Sequence, residues 1–174
     1  LLKLDFAKVF DTIEHAPMMA IMKHMGFDDK WLGWMKTIFG SGVSSVLLNG
    51  VPGRKFNCKC GVRQGDPLSP LIFVLAADLL QAAINDAFAR GLVELPLPRD
   101  SAGDFPVVQY ADDTILVMQA CPEQAARMKT ILEDYAVSVG LKINFQKSTL
   151  IPINIDHQRA SELAVVFGCS VGSM

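Results

Sequence analysis

Apolar and polar positions alternate at the start of the chain, where Leu2, Leu4 and Phe6 are separated by Lys3 and Asp5. That is the period of a short strand running into a turn. The period then changes. Met18, Ile21, Met22 and Met25 fall at i, i+3, i+4 and i+7, one stripe of a helix that Gly26 stops. Methionine at this spacing is ordinary core filler. A second helix is predicted from about Asp28, with Trp31, Met35 and Ile38 on one face and Gly40-Ser41-Gly42 at its end. Residues 43–49 and 54–59 read as two strands joined by the turn Asn49-Gly50-Val51-Pro52-Gly53. Ser69 followed by Pro70 supplies an N-cap and a proline at the first helical position. The helix they open is apolar on all sides through Leu80, so it is expected to be buried; it turns amphipathic to Ala89 and stops at Gly91.

Residues 94–104 hold Pro96, Pro98 and Gly103 and are predicted as a mobile loop. In residues 107–118, Asp112 and Asp113 separate two apolar runs, the pattern of a β-hairpin with an acidic tip. Pro122 opens a helix with Ala125, Met128, Leu132, Tyr135 and Val139 along one stripe and Gly140 at its end. Residues 141–153 read as loop and strand, and 161–167 as a short closing helix. The order β-αα-ββ-α-ββ-α-β-α indicates an α+β fold, with helices on one face of a small, mainly antiparallel sheet.

At 174 residues the chain is one domain's worth, and 51% hydrophobic with 20% charged residues describes a globular protein. The net charge of −2 gives no support for nucleic-acid binding. Were nucleic acid the substrate, much of the basic surface would have to lie outside these residues. Cys58, Cys60, Cys121 and Cys169 lack zinc-ligand spacing and read as free thiols of a reducing compartment. There is no signal-peptide pattern at residues 1–4, and the apolar run 71–80, broken by Asp78, falls short of the ~20 residues a membrane span needs. A soluble, intracellular protein is expected. Both ends fall inside patterned sequence, which suggests part of a larger polypeptide.

The acidic hairpin carries the chemistry. Two adjacent like charges beside an apolar core are costly unless a cation neutralises them. Asp5 adds a third carboxylate in a strand, where aspartate is depleted. If its strand pairs beside the hairpin, the three could hold two magnesium ions roughly 3.5–4 Å apart, the arrangement used for in-line displacement at phosphorus. Oxygen ligands select such hard cations, with manganese a possible substitute. His15 and His24 have no partner at useful spacing and are read as structural.

Four ordered motifs now make the reading specific. Leu4-Asp5-Phe6-Ala7-Lys8-Val9-Phe10-Asp11 resembles the first catalytic motif of reverse transcriptases of non-LTR, LINE-like retrotransposons. Arg63-Gln64-Gly65-Asp66-Pro67-Leu68-Ser69-Pro70 is similar to that family's nucleotide-contacting loop and helix, and Tyr110-Ala111-Asp112-Asp113 to its catalytic hairpin. Gly140-Leu141-Lys142-Ile143-Asn144 with Lys147-Ser148 resembles the motif that follows. Leu48-Asn49-Gly50-Val51-Pro52-Gly53 and Phe167-Gly168-Cys169 add a plant-element flavour.

The resemblance implies a polymerase palm with part of the fingers over residues 1–174, a single partial domain without the N-terminal fingers strands, the C-terminal primer grip or the thumb. It implies Asp5, Asp112 and Asp113 as magnesium ligands, assisted by the carbonyl of Phe6. Phe10 would be the steric gate under the sugar, Gln64 the contact to the incoming nucleotide, and Gly65 the point of close backbone approach. Lys147 would neutralise or protonate pyrophosphate. Asp11 and Asp66 are better suited to starting a helix or bracing a loop. Implied partners are an RNA template, a DNA primer, deoxynucleoside triphosphates and the rest of a polyprotein, in which an endonuclease is possible but not indicated by these residues; the nucleus is the implied place of action. Val9 stands where the family has alanine, and Cys60 where a basic residue is common, which removes one possible phosphate contact. A silent remnant that at most binds RNA is the alternative, and a palm-fold nucleotide cyclase ranks last because it has no use for the Gln64 loop.

Overall fold

A computed structural model describes residues 1–97, 103–110 and 113–173. Its centre is a five-stranded sheet, ordered β6-β7-β1-β8-β9. The strands are β1 (Leu2–Leu4), β6 (Val107–Tyr110), β7 (Asp113–Leu116), β8 (Thr149–Leu150) and β9 (Ser170–Val171). All neighbours are antiparallel except β8 and β9. The mixed, mainly antiparallel α+β architecture expected from the sequence is therefore present. β1 is the central strand, held by β7 at Leu2↔Leu116 and Leu4↔Thr114 and by β8 at Leu2↔Leu150.

Alternation gives this sheet two unlike faces. Leu2, Leu4, Thr114 and Leu116 are buried under the helices, whereas Lys3 and Asp113 are exposed on the other side. The covering helices are α2 (His15–His24), α4 (Ser69–Ala89), α5 (Pro122–Val139) and α6 (His157–Phe167). α5 follows its predicted stripe throughout: Ala125, Met128, Leu132, Tyr135 and Val139 are all buried, and Gly140 ends the helix at φ +75°. The Tyr135 hydroxyl donates to the Ala76 carbonyl at 2.9 Å, fastening α5 to α4, and burial raises its pKa above the usual tyrosine value.

Several expectations are adjusted. In α2, Met18 and Met22 are fully buried, but Met25 caps the helix and is exposed. α3 (Asp29–Gly40) begins where expected, with the Asp28 carboxylate accepting from the Trp31 N–H at 2.7 Å. Its buried stripe is Leu32, Met35 and Phe39, leaving Ile38 exposed. The two predicted strands of 43–59 are four two-residue strands: β2 (Val43–Ser44) pairs with β5 (Phe56–Asn57), and β3 (Leu47–Leu48) with β4 (Val51–Pro52). The turn is tighter than expected because Asn49 and Gly50 both take positive φ, the geometry of a two-residue hairpin loop. Ser69 is inside α4 and does not cap it; its hydroxyl donates to the Arg63 carbonyl at 2.6 Å instead.

α4 is also not buried on all sides, since Leu71 and Val74 face solvent. At 21 residues it is long and apolar enough to cross a membrane, a length the 71–80 run alone does not suggest. Ile72, Phe73, Ala76, Leu80, Ile84 and Ala87 nevertheless pack into the core. A four-residue helix α1 (Val9–Thr12) and strand β9 were not predicted, and α6 starts earlier than expected because the Asp156 side chain accepts from the Arg159 N–H at 2.7 Å. Of the predicted loop 94–104, residues 98–102 lie outside the described residues. The four cysteines are free thiols, Cys60 exposed and the others half-buried.

Candidate active site

Asp5 leaves the end of β1 with its backbone tied on one side only. Its N–H donates to the Ser148 hydroxyl at 3.1 Å, and its carbonyl accepts from the Asn144 N–H at 2.8 Å. Ser148 is itself buried and donates to the Asn144 carbonyl at 2.9 Å. The 144–148 turn, 139 or more residues downstream, thus fixes where the half-buried Asp5 sits. Phe6 continues the ladder opposite Ile143 and packs edge-on against Tyr135, with ring centroids 6.4 Å apart.

The strand register sets the two carboxylate-bearing chain segments side by side. Leu4 faces Thr114 as the last pair of β1 and β7, and Asp5 and Asp113 are the next residues along each strand. Leu4 and Thr114 point into the core, which sends Asp5 and Asp113 to the open face. Lys3 shares that face, and its Nζ lies 2.9 Å from an Asp113 oxygen. Both side chains are about half exposed, so this is a solvent-facing ion pair. Ala111 and Asp112 lie outside the described residues, and among those described no three His, Cys, Asp or Glu side chains form a metal cluster.

Beyond Asp5 the chain turns sharply. Lys8 adopts the left-handed conformation (φ 50°, ψ 48°) at the start of α1, a strained choice for a residue with a side chain. The turn opens a cleft of about 600 Å³ lined by Phe6, Lys8, Phe10, Gln64, Gly65 and neighbouring residues. Phe10 is half-buried against Phe73, with centroids 6.4 Å apart. Gln64 is exposed, and Gly65 sits at φ +84° with open space where a Cβ would point. Asp66 braces the loop: its carboxylate accepts from the Leu68 N–H at 2.9 Å. Lys147 is exposed on the 144–148 turn and is not among the lining residues.

Two residues escaped the sequence reading. Lys8 faces the cleft, and its place between Asp5 and Phe10 in the first motif was the available signal. His15 has a partner after all, the Gly61 carbonyl, 46 positions away and so invisible as spacing.

Residues 1–161 match the family model described as reverse transcriptase (RNA-dependent DNA polymerase). The chain belongs to the reverse transcriptase family. Similar proteins include the retrovirus-related Pol polyprotein from type-1 retrotransposable element R2 of Popillia japonica, 32% identical over 83 residues, or 48% of this chain and 14% of that protein. A transposon TX1 149 kDa protein of Xenopus laevis is 29% identical over 150 residues, or 85% of this chain and 11% of that protein. The Pol polyprotein from type-2 retrotransposable element R2DM of Drosophila melanogaster is 29% identical over 152 residues, or 86% of this chain and 13% of that protein. This reverse transcriptase chain therefore spans well under a fifth of each of these polyproteins, all of them from retrotransposons or transposons. The matched span includes Asp5, Phe10, Gln64, Asp113 and Lys147.

Proposed function

We propose that this chain is the palm, with part of the fingers, of an RNA-directed DNA polymerase that serves retrotransposition within a larger polyprotein. Its substrates are deoxynucleoside triphosphates, an RNA template and a DNA primer, and the cell nucleus is its place of action. The plant-type affiliation rests on Leu48–Gly53 and Phe167–Cys169 alone. The reading rests on the register Leu4↔Thr114, which makes Asp5 and Asp113 the next residues along two paired strands, together with the cleft lined by Phe6, Phe10 and Gln64.

In this reading Asp5, Asp112 and Asp113 hold two magnesium ions, with manganese able to replace them; hard carboxylate oxygens suit both. When bound, the ions supply activation of a primer hydroxyl and neutralisation of phosphate charge. The protein's own residues do the rest. Lys8 adds positive charge in the cleft, where a triphosphate would lie. Phe10, backed by Phe73, blocks space beneath the sugar and disfavours a 2′-hydroxyl. Gln64 and the exposed backbone at Gly65 contact the incoming nucleotide from the opposite wall. Lys147, on the turn that holds Asp5, is the candidate donor to departing pyrophosphate.

Primer extension by the natural polypeptide that carries this chain tests the assignment. Asp113→Asn and Asp112→Asn each lower synthesis on the order of 10³-fold, the effect of several kcal/mol of lost charge stabilisation. Undiminished synthesis by either variant defeats that residue's role as a ligand. No synthesis by the unaltered protein favours a silent remnant.

A further inference from the structure

We propose that His15 is a positioning residue, whose imidazole pins the Gln64 loop to the segment carrying Phe10 and so sets the width of the nucleotide cleft. The joint borders a second cavity that shares Phe10, Gln64 and Asp66 with the cleft. From there the chain leaves α1 through Ile13 and Glu14, and the loop that leads to Gln64 comes alongside at Cys60, Gly61 and Val62. Glu14 bridges to Cys60, the Gly61 N–H donates to the Ile13 carbonyl at 2.7 Å, and the Val62 N–H donates to the Phe10 carbonyl at 2.6 Å. His15 completes the joint, with Nε2 donating to the Gly61 carbonyl at 2.7 Å. A carbonyl can only accept, so Nε2 carries the hydrogen.

The ring is held for this bond. It lies flat on Phe39, with centroids 4.4 Å apart and planes 3° from parallel. Gly61 is the other half of the device. At φ +79°, a Cβ there would come within 2.8 Å of the Phe10 and Asp11 carbonyl oxygens, so only glycine lets the two backbones approach this closely. Phe10 is thus bonded through its own carbonyl to Val62, two residues before Gln64 on the facing wall. His15 does not line that cleft but an adjoining cavity of about 700 Å³ that Phe10 and Gln64 also border, and its bond to Gly61 is its link to the loop. Loss of the imidazole strands the Gly61 carbonyl, frees the loop to swing, and lets the gate and its opposing wall part.

The kinetic readout of this inference rests on the polymerase reading, whereas its exchange readout does not. In the natural polypeptide carrying this chain, single-nucleotide incorporation on a preformed primer–template is compared for His15→Ala, His15→Gln and Gly61→Ala. Amide exchange over residues 60–68 is measured alongside. His15→Ala raises the KM for a deoxynucleoside triphosphate about tenfold with kcat within about twofold, and lowers the preference over the ribonucleotide. Exchange at Gly61 and Val62 quickens about tenfold, without spreading to α5. His15→Gln, which keeps an N–H donor, recovers most of both effects, and Gly61→Ala reproduces them. Unchanged KM and sugar preference in His15→Ala, or an equal fall in every parameter tracking a lowered melting temperature, overturns the proposal. If the unaltered protein incorporates nothing, the polymerase reading fails by itself. The pin is then decided by exchange, faster over 60–68 alone supporting it and unchanged exchange overturning it.

Discussion

Leu2 and Leu4 on β1 are almost wholly removed from water, whereas Leu47 and Leu48 on β3 are 66% and 74% exposed. Both are short apolar strands, and each follows the alternation or turn chemistry that predicts it. They differ in where their neighbours come from. β1 is flanked by β7 and β8, over 100 residues further along the chain, and is covered by helices from between them. β3 has one neighbour, β4, which Asn49 and Gly50 deliver directly. Turn chemistry suffices to pair two strands; burial and the placing of carboxylates need long-range partners.

The largest expected effect falls on β1. Leu4→Ala leaves a cavity beneath Asp5 and lowers unfolding free energy by about 3 kcal/mol, measured by denaturant titration. Tyr135→Phe, which removes the hydrogen bond fastening α5 to the Ala76 carbonyl of α4, costs about 1 kcal/mol. It also changes the response to alkali. Burial raises the phenol's pKa above its ordinary 10, so the unfolded chain releases this proton first. The contribution is intact below pH 10 and is lost as pH rises further, a loss that Tyr135→Phe does not show in alkaline melts. On the hairpin, Gly50→Ala forces a side chain to positive φ and costs about 1 kcal/mol, seen as local exchange at β3 and β4. Leu47→Ser with Leu48→Ser changes global stability by less than about 0.5 kcal/mol. A larger drop in the last pair would erase the contrast between the two regions.

The parts legible in the sequence are those whose signals are local. The α5 stripe from Ala125 to Val139, the Asp28 cap and the acidic hairpin each declare themselves within a few residues. The α3 face is read correctly at Trp31 and Met35 but not at Ile38, which is as apolar as the buried Leu32 and Phe39; the position of α2 decides which stripe is covered. Ser69 has the right residue type for a cap but finds a better acceptor in Arg63. Within the site, aspartate in a strand marks Asp5, while its place next to the Asp113 strand follows from the pairing of β1 with β7, which no local signal gives. His15 was unreadable for the same reason.

One buried hydroxyl has a consequence of its own. The Ser148 hydroxyl accepts from the Asp5 N–H and donates to the Asn144 carbonyl, so the first acidic residue is tethered to the turn bearing Lys147. A change at position 148 as small as one oxygen atom is felt 143 positions away, at Asp5.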